Sequence, residues 1–195
     1  MYHTMLTEPG TFPLVQRATF AKGVAFQHDA RAGLTEEYES CDVLYMDLPW
    51  GERGQAIFNG RARQLVKYDE MLDAVATMAQ EARVPTYVVT GKRDATRLPL
   101  PRAAGNVVLN GTPAKVLVYG SSSVALREGT PAGDLLAALA AVHLVVGDPF
   151  CGYGRAGRVF ASHGKGFVMS DYNAQCIGAI ALHAARWWPA GVTGP

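Results

Sequence analysis

Short apolar runs rich in β-branched residues alternate along this chain with longer stretches whose apolar positions recur every three or four residues. The first pattern predicts strands at 43–46, 86–90, 116–119, 144–146 and 166–169, with weaker ones at 18–20 and 24–26. The second predicts helices over 68–83, 133–142, 157–163 and 174–186. Alternation of this kind is the signature of an α/β layer fold, a mostly parallel sheet flanked by helices. Two stretches, 51–64 and 91–110, lack periodicity, are rich in Gly, Pro and Arg, and each follow a predicted strand. They read as loops at the carboxyl ends of strands, where an open parallel sheet forms its ligand crevice.

At 195 residues, 49% of them hydrophobic, the chain suits one compact domain spanning 1–195. A net charge of +1 gives no global pull towards nucleic acid, so any such partner has to be met by locally gathered basic residues. Cys41, Cys151 and Cys176 are odd in number and far apart, a pattern that implies neither a disulfide framework nor a metal site. No secretory signal or membrane-length apolar run is visible, and the expectation is a soluble, cytoplasmic protein.

Two motifs carry candidate chemistry. The segment Asp148, Pro149, Phe150, Cys151, Gly152, Tyr153, Gly154 follows the predicted strand 144–146 and precedes a helix, so its glycines sit on a strand-to-helix turn where the backbone can approach a ligand closely. About 20 positions on, at the end of the next strand, Asp171 is spaced to accept hydrogen bonds from the ribose hydroxyls of an adenosine-containing cofactor, or to cap the helix beginning near Ala174, two roles that can coexist. The second motif, Asp47, Leu48, Pro49, Trp50, ends the strand 43–46. An aromatic amine is a poor nucleophile until its hydrogens are accepted, and the Asp47 carboxylate with the Leu48 carbonyl supplies such a pair. Trp50 offers a face for a stacked base, worth roughly 1–3 kcal/mol, or alternatively a buried core side chain.

These segments resemble the amino-group DNA methyltransferases that act on adenine N6 or cytosine N4, whose motifs are D/N/S-P-P-Y/F/W and D-P-F-x-G-S-G. The catalytic motif precedes the cofactor motif here, as in the permuted, beta-type branch. Asp29 and Ala30 look like the family's G-D-A/C segment, whose Asp contacts the cofactor adenine, and 130–136 stands where the family has K-P-x-x-L-L. The chain departs from the pattern at Leu48 (usually Pro), Tyr153 and Arg155 (usually Ser and Thr) and Thr130 (usually Lys).

The resemblance implies a Rossmann-like S-adenosylmethionine-dependent methyltransferase fold, with Asp29, Ala30, Asp148, Pro149, Phe150, Cys151, Gly152, Gly154 and Asp171 holding S-adenosyl-L-methionine. The methyl group would pass directly to a flipped-out base, most simply N6 of adenine in DNA since position 47 is Asp rather than Ser, with no metal and no nucleophilic cysteine. RNA adenine, DNA cytosine N4 and an inactive binding module stay open as alternatives, and a dinucleotide-dependent oxidoreductase would leave Asp47 to Trp50 unexplained. Arg53, Arg61, Arg63, Lys92, Arg93 and Arg97 are the basic residues expected to meet phosphates. With only about 91–115 free for target recognition, a homodimer is expected.

Overall fold

The computed structural model describes residues 12–48 and 67–189. The described residues form a nine-stranded sheet from β1 (Arg17–Phe20), β2 (Gly23–Gln27), β3 (Val43–Asp47), β4 (Thr86–Thr90), β5 (Ala103–Leu109), β6 (Thr112–Tyr119), β7 (Thr130–Pro131), β8 (Val145–Asp148) and β9 (Gly166–Asp171). The spatial order is β1-β2-β9-β8-β3-β4-β6-β5-β7. β2, β9, β8, β3 and β4 are parallel, while β1 and β6 run antiparallel to their inner neighbours. The helices are α1 (Tyr68–Glu81), α2 (Lys92–Ala95), α3 (Ala132–Val142), α4 (Arg155–Ser162) and α5 (Ala174–His183), with single 3-10 turns at Ala30–Ala32, Glu36–Ser40 and Ala184–Arg186.

The central strands are buried on both faces, and alternation along them divides the interior in two. Val43 and Tyr45 of β3 join Val146, Tyr87 and Val89 in a core closed by α3, α4 and α5, through residues such as Leu136, Leu139, Phe160, Ile177 and Ile180. Leu44, Met46 and Leu48 point the other way, against Met71, Leu72, Val75 and Met78 of α1. Successive side chains of a strand face opposite sides, so a strand packed by helices on both faces reads as a continuous apolar run.

The predicted loop 91–110 is corrected by the fold. It contains the short helix α2 and the whole of β5, which pairs with β6 along its full length. The connection is the two-residue turn Asn110-Gly111, with φ of +50° and +80°, the positive-φ pair that a tight hairpin requires. Part of the expected target-recognition stretch therefore belongs to the sheet, leaving 96–102 as its irregular portion. The other predicted loop, 51–64, lies outside the described residues.

Order within the sheet locates the crevice. From β3 the chain proceeds to β4 on one side, and from β8 it proceeds to β9 on the other, although β3 and β8 are themselves neighbours. Helices leaving a pair of strands in opposite directions leave a gap at their carboxyl ends, the usual ligand position in open α/β sheets. Asp47 ends β3 and Asp148 ends β8.

Candidate active site

At the end of β8 the Asp148 carboxylate accepts the Phe150 amide at 3.1 Å, which starts the turn. The Cys151 amide then donates to the Ser170 carbonyl on β9 at 3.0 Å, and the Gly154 amide donates back to the Cys151 carbonyl at 2.8 Å. Gly152 and Gly154 both adopt positive φ, +49° and +79°. Their reasons differ. A Cβ on Gly154 would stand 2.6 Å from Cη2 of Trp187, whereas a Cβ on Gly152 would meet no described atom within 4 Å. Gly154 is a packing glycine that lets α4 begin at Arg155, two residues before the predicted start; Gly152 presents its backbone to open space.

Asp171 ends β9 and binds that turn from below. Its Oδ2 accepts the Gly152 amide at 2.8 Å, and its Oδ1 accepts the Asn173 amide at 2.8 Å. The helix-capping alternative for Asp171 is corrected, since α5 is capped by Asn173, whose side chain accepts the Gln175 amide at 3.0 Å. Burial pushes the Asp171 carboxyl up to about 6, against the lowering effect of the two amide donors.

β3 and β8 pair Leu44 with Gly147 at the last step of their ladder, so Tyr45 neighbours Asp148 and Asp47 lies beyond. Burial pushes the Asp47 carboxyl up to about 7, with Arg155 pulling it down. Asp148 is raised well above the usual carboxylate range by burial, and the nearby Asp47 and Asp171 carboxylates add to the shift. Three carboxyl groups raised by burial thus gather at the carboxyl ends of three neighbouring strands, a pattern typical of working sites.

Leu48 is buried against the α1 core and its amide donates to the Val89 carbonyl at 3.2 Å. Proline has no amide hydrogen to make this bond. Leu rather than Pro at this position therefore extends the pairing of β3 with β4 by one bond.

A cavity of about 260 Å³ opens between the turn and α1, lined by Asp29, Ala30, Asp47, Leu48, Pro149, Phe150, Gly152 and Asp171. Asp148, Cys151 and Gly154 do not line it, and all three are buried. His28, Arg31, Met71, Ala74 and Tyr172 also line it and were not singled out from the sequence. Met71 and Ala74 are one turn apart on α1, a spacing that marks a shared helix face but not what it faces. The Asp29 carboxylate is clasped by the Arg31 guanidinium, at 2.6 Å from Nη2, and accepts the Arg31 amide; Arg31 Nη1 reaches Glu70 of α1 at 2.6 Å. This pairing holds Asp29 below its usual range. A wider groove of about 1340 Å³ adjoins between α1 and 29–41, but Asp47, Asp148 and Asp171 do not line it.

Of the remaining expected residues, Lys92 and Arg93 lie exposed on α2, directly after β4. Arg97 donates to Asp69 at 2.6 Å and its guanidinium sits over the Tyr68 ring at 5.9 Å. Pro49, Trp50, Arg53, Arg61 and Arg63 lie outside the described residues. Among the described residues there is no His, Cys, Asp and Glu grouping suited to a metal ion, and no helix is long and apolar enough to cross a membrane.

No family profile matches the sequence, and no curated protein matches it. Solved structures do. M1.HpyAVI in its SAM complex superposes with a TM-score of 0.55 at 12% identity, over 82% of this chain and 98% of its own. TTHA0409 from Thermus thermophilus, a candidate DNA modification methylase, gives 0.57 at 15% identity, over 85% and 95%. The cytosine-N4-specific PvuII DNA methyltransferase gives 0.52 at 11% identity, over 88% and 90%. The chain has the α/β, Rossmann-like fold of these proteins, a mostly parallel sheet flanked by helices.

Proposed function

We propose that this protein is a DNA methyltransferase that uses S-adenosyl-L-methionine to methylate the exocyclic amino group of a base, with N6 of adenine as the preferred target. The observation that carries the reading is the meeting of Asp47 and Asp148, each ending one of two adjacent parallel strands at the point where the sheet reverses its order. One belongs to the motif expected to receive the amine and the other to the motif expected to hold the cofactor. Structures of the same fold carry this cofactor in M1.HpyAVI and TTHA0409.

The residues present fit such a group. Gly152 leaves the backbone bare towards the cavity, where any side chain would intrude. Asp171 keeps lone pairs beyond the two amides it already accepts and faces the same cavity. About 260 Å³ is near the lower edge of small-molecule sites and suits a nucleoside portion between Phe150, Met71 and Tyr172. Asp29 and Ala30 also line that space.

When bound, the cofactor supplies an electrophilic methyl on a sulfonium. The chain's part is to bring an amine in line with it. Asp47, in its ionised form, accepts one amine hydrogen while the Leu48 carbonyl accepts the other, concentrating the nitrogen lone pair and stabilising the positive charge that develops there. A base reaches this depth only outside its duplex stack, at a cost of a few kcal/mol; Trp50 is the proposed stacking partner, and Lys92 and Arg93 flank the crevice for phosphate contact. The reading takes the protein as an enzyme of the cytoplasm acting on DNA, and a homodimer would extend its short recognition surface.

The experiment is to incubate the protein with radiolabelled S-adenosyl-L-methionine and duplex DNA, single-stranded DNA or RNA, then digest and identify the labelled nucleoside, with Asp47→Ala as control. N6-methyladenine from DNA, lost in the variant, is the expected outcome. N4-methylcytosine or labelled RNA would reassign the substrate, and cofactor binding without labelled base would replace the enzyme by a binding module.

A further inference from the structure

Asp29, Arg31 and Glu70 form one connected bridge between the turn after β2 and the start of α1. Asp29 caps the 3-10 turn Ala30–Ala32, its Oδ1 accepting the Arg31 amide at 3.0 Å. The Arg31 side chain folds back onto the same carboxylate, with Nε 3.0 Å from Oδ1 and Nη2 2.6 Å from Oδ2. A planar guanidinium offers this fork and an ammonium does not. The third nitrogen, Nη1, donates to Glu70 at 2.6 Å. Glu70 lies in the first turn of α1, beside Met71 and one turn before Ala74.

The bridge stands on the border between two hollows. Asp29, Ala30, Arg31 and Ala74 line both the cavity of about 260 Å³ and the groove of about 1340 Å³, while Met71 lines the first alone and Glu70 the second alone. Stability does not account for the arrangement. The side chains of Asp29, Arg31 and Glu70 are 39%, 34% and 44% exposed, and ion pairs open to water contribute little while they restrict long side chains. What the bridge fixes is position. One guanidinium sets where the Asp29 carboxylate points and how far the first turn of α1 stands from it, and residues of both parts line the cavity.

We propose that Arg31 is a positioning residue for nucleoside binding: by forking onto Asp29 and reaching Glu70, it holds the turn at Asp29 and Ala30 at a set distance from Met71 and Ala74 of α1. The nucleoside portion of the cofactor then meets a space of fixed width. The inference rests on the functional reading given above, in which this cavity takes S-adenosyl-L-methionine. Arg31 acts through Asp29 and α1 rather than on the reacting atoms.

The test is calorimetric titration of the full chain with S-adenosyl-L-methionine and, separately, with S-adenosyl-L-homocysteine, which shares the nucleoside and lacks the transferable methyl. The proteins are wild type, Arg31→Gln, Arg31→Lys, Glu70→Ala and the double variant Arg31→Gln with Glu70→Ala, each checked for folding by urea denaturation. Arg31→Gln should weaken both ligands equally, by about tenfold, the scale of groups coupled through one network. Arg31→Lys should recover part of the loss, since it restores the charge without the fork. Glu70→Ala should weaken binding less, and adding it to Arg31→Gln should cost nothing further, because the tether is already gone. A bridge that served stability alone would lower the urea midpoint and leave both Kd values unmoved. A folded Arg31→Gln variant with wild-type affinity, or losses that add in full in the double variant, would overturn this inference alone. Wild type that binds neither ligand would overturn the functional reading, and this inference with it.

Discussion

The amide of Gly152, in the turn after β8, donates at 2.8 Å to the carboxylate of Asp171 at the end of β9, so two strands' carboxyl ends are fastened together at the point where the cofactor is proposed to bind. The other carboxylate oxygen holds the Asn173 amide. In Asp171→Asn one of these amides meets an NH2 group instead of an oxygen. A buried donor left without an acceptor costs about 1–3 kcal/mol, and the turn loses its anchor. Calorimetric titration with S-adenosyl-L-methionine should give at least a tenfold weaker Kd, with a lowered Tm; an unchanged Kd would mean that the turn is positioned without Asp171.

The two turn glycines should separate stability from binding. Gly154→Ala meets both a φ of +79° and Trp187 at 2.6 Å, and should cost about 2 kcal/mol or more in a urea denaturation. Gly152→Ala has a φ of +49° but open space around the new methyl, so its folding cost should stay near 1 kcal/mol. Its effect falls on the cavity, and the cofactor Kd should rise more than for Gly154→Ala. Equal losses of affinity in two folded variants would argue against Gly152 as the cofactor cradle.

Leu48→Pro brings the segment after Asp47 closer to the pattern of the family it resembles and should nevertheless harm the protein. It removes the Leu48 amide that donates to Val89 and withdraws a buried side chain from the α1 core. The expected loss is about 2–4 kcal/mol in denaturant unfolding. An equally stable variant would show that this end of β3 does not depend on that bond.

What the sequence revealed follows the physics of each element. β3 and β4 were readable because strands buried on both faces must be continuously apolar, and Thr86–Thr90 appears at its predicted bounds. β5 was not, because Ala103, Ala104, Gly105 and Asn106 carry little β-branched character; the Asn110-Gly111 pair was the signal that a hairpin lay there. Asp47, Asp148 and Asp171 were legible from spacing after strands, since strand ends converge in a parallel sheet. The clasp of Arg31 on Asp29 and Glu70 was not, because it joins residues whose approach depends on where α1 docks. The same docking brings Met71 and Ala74 to the cavity, and Tyr172 follows simply from being next to Asp171.

Asp47 should limit both activity and stability, in opposite senses. Its carboxyl titrates at about 7 in the folded protein and near 3.8 as an ordinary Asp. The folded state therefore binds more protons than the unfolded chain between these values, and stability falls as pH rises from about 4 to about 7, the full cost remaining above that window. Asp47→Asn removes the titration. The variant should match wild type near pH 4 and exceed it at pH 8 by on the order of 2 kcal/mol, discounted because the side chain keeps some solvent contact. That corresponds to a Tm higher by about 4–8 °C for a chain of this size. Methyl transfer should fall by on the order of 10²–10³, the scale of losing one charge-stabilising group from a reaction centre. In wild type the rate should decline as pH falls through about 7, since protonated Asp47 accepts no amine hydrogen. Thermal melts at pH 4 and pH 8 beside initial rates at pH 8 check this. A variant no more stable at pH 8 than wild type would show that Asp47 is not held against its charge, and one that retains full activity would remove it from the reaction.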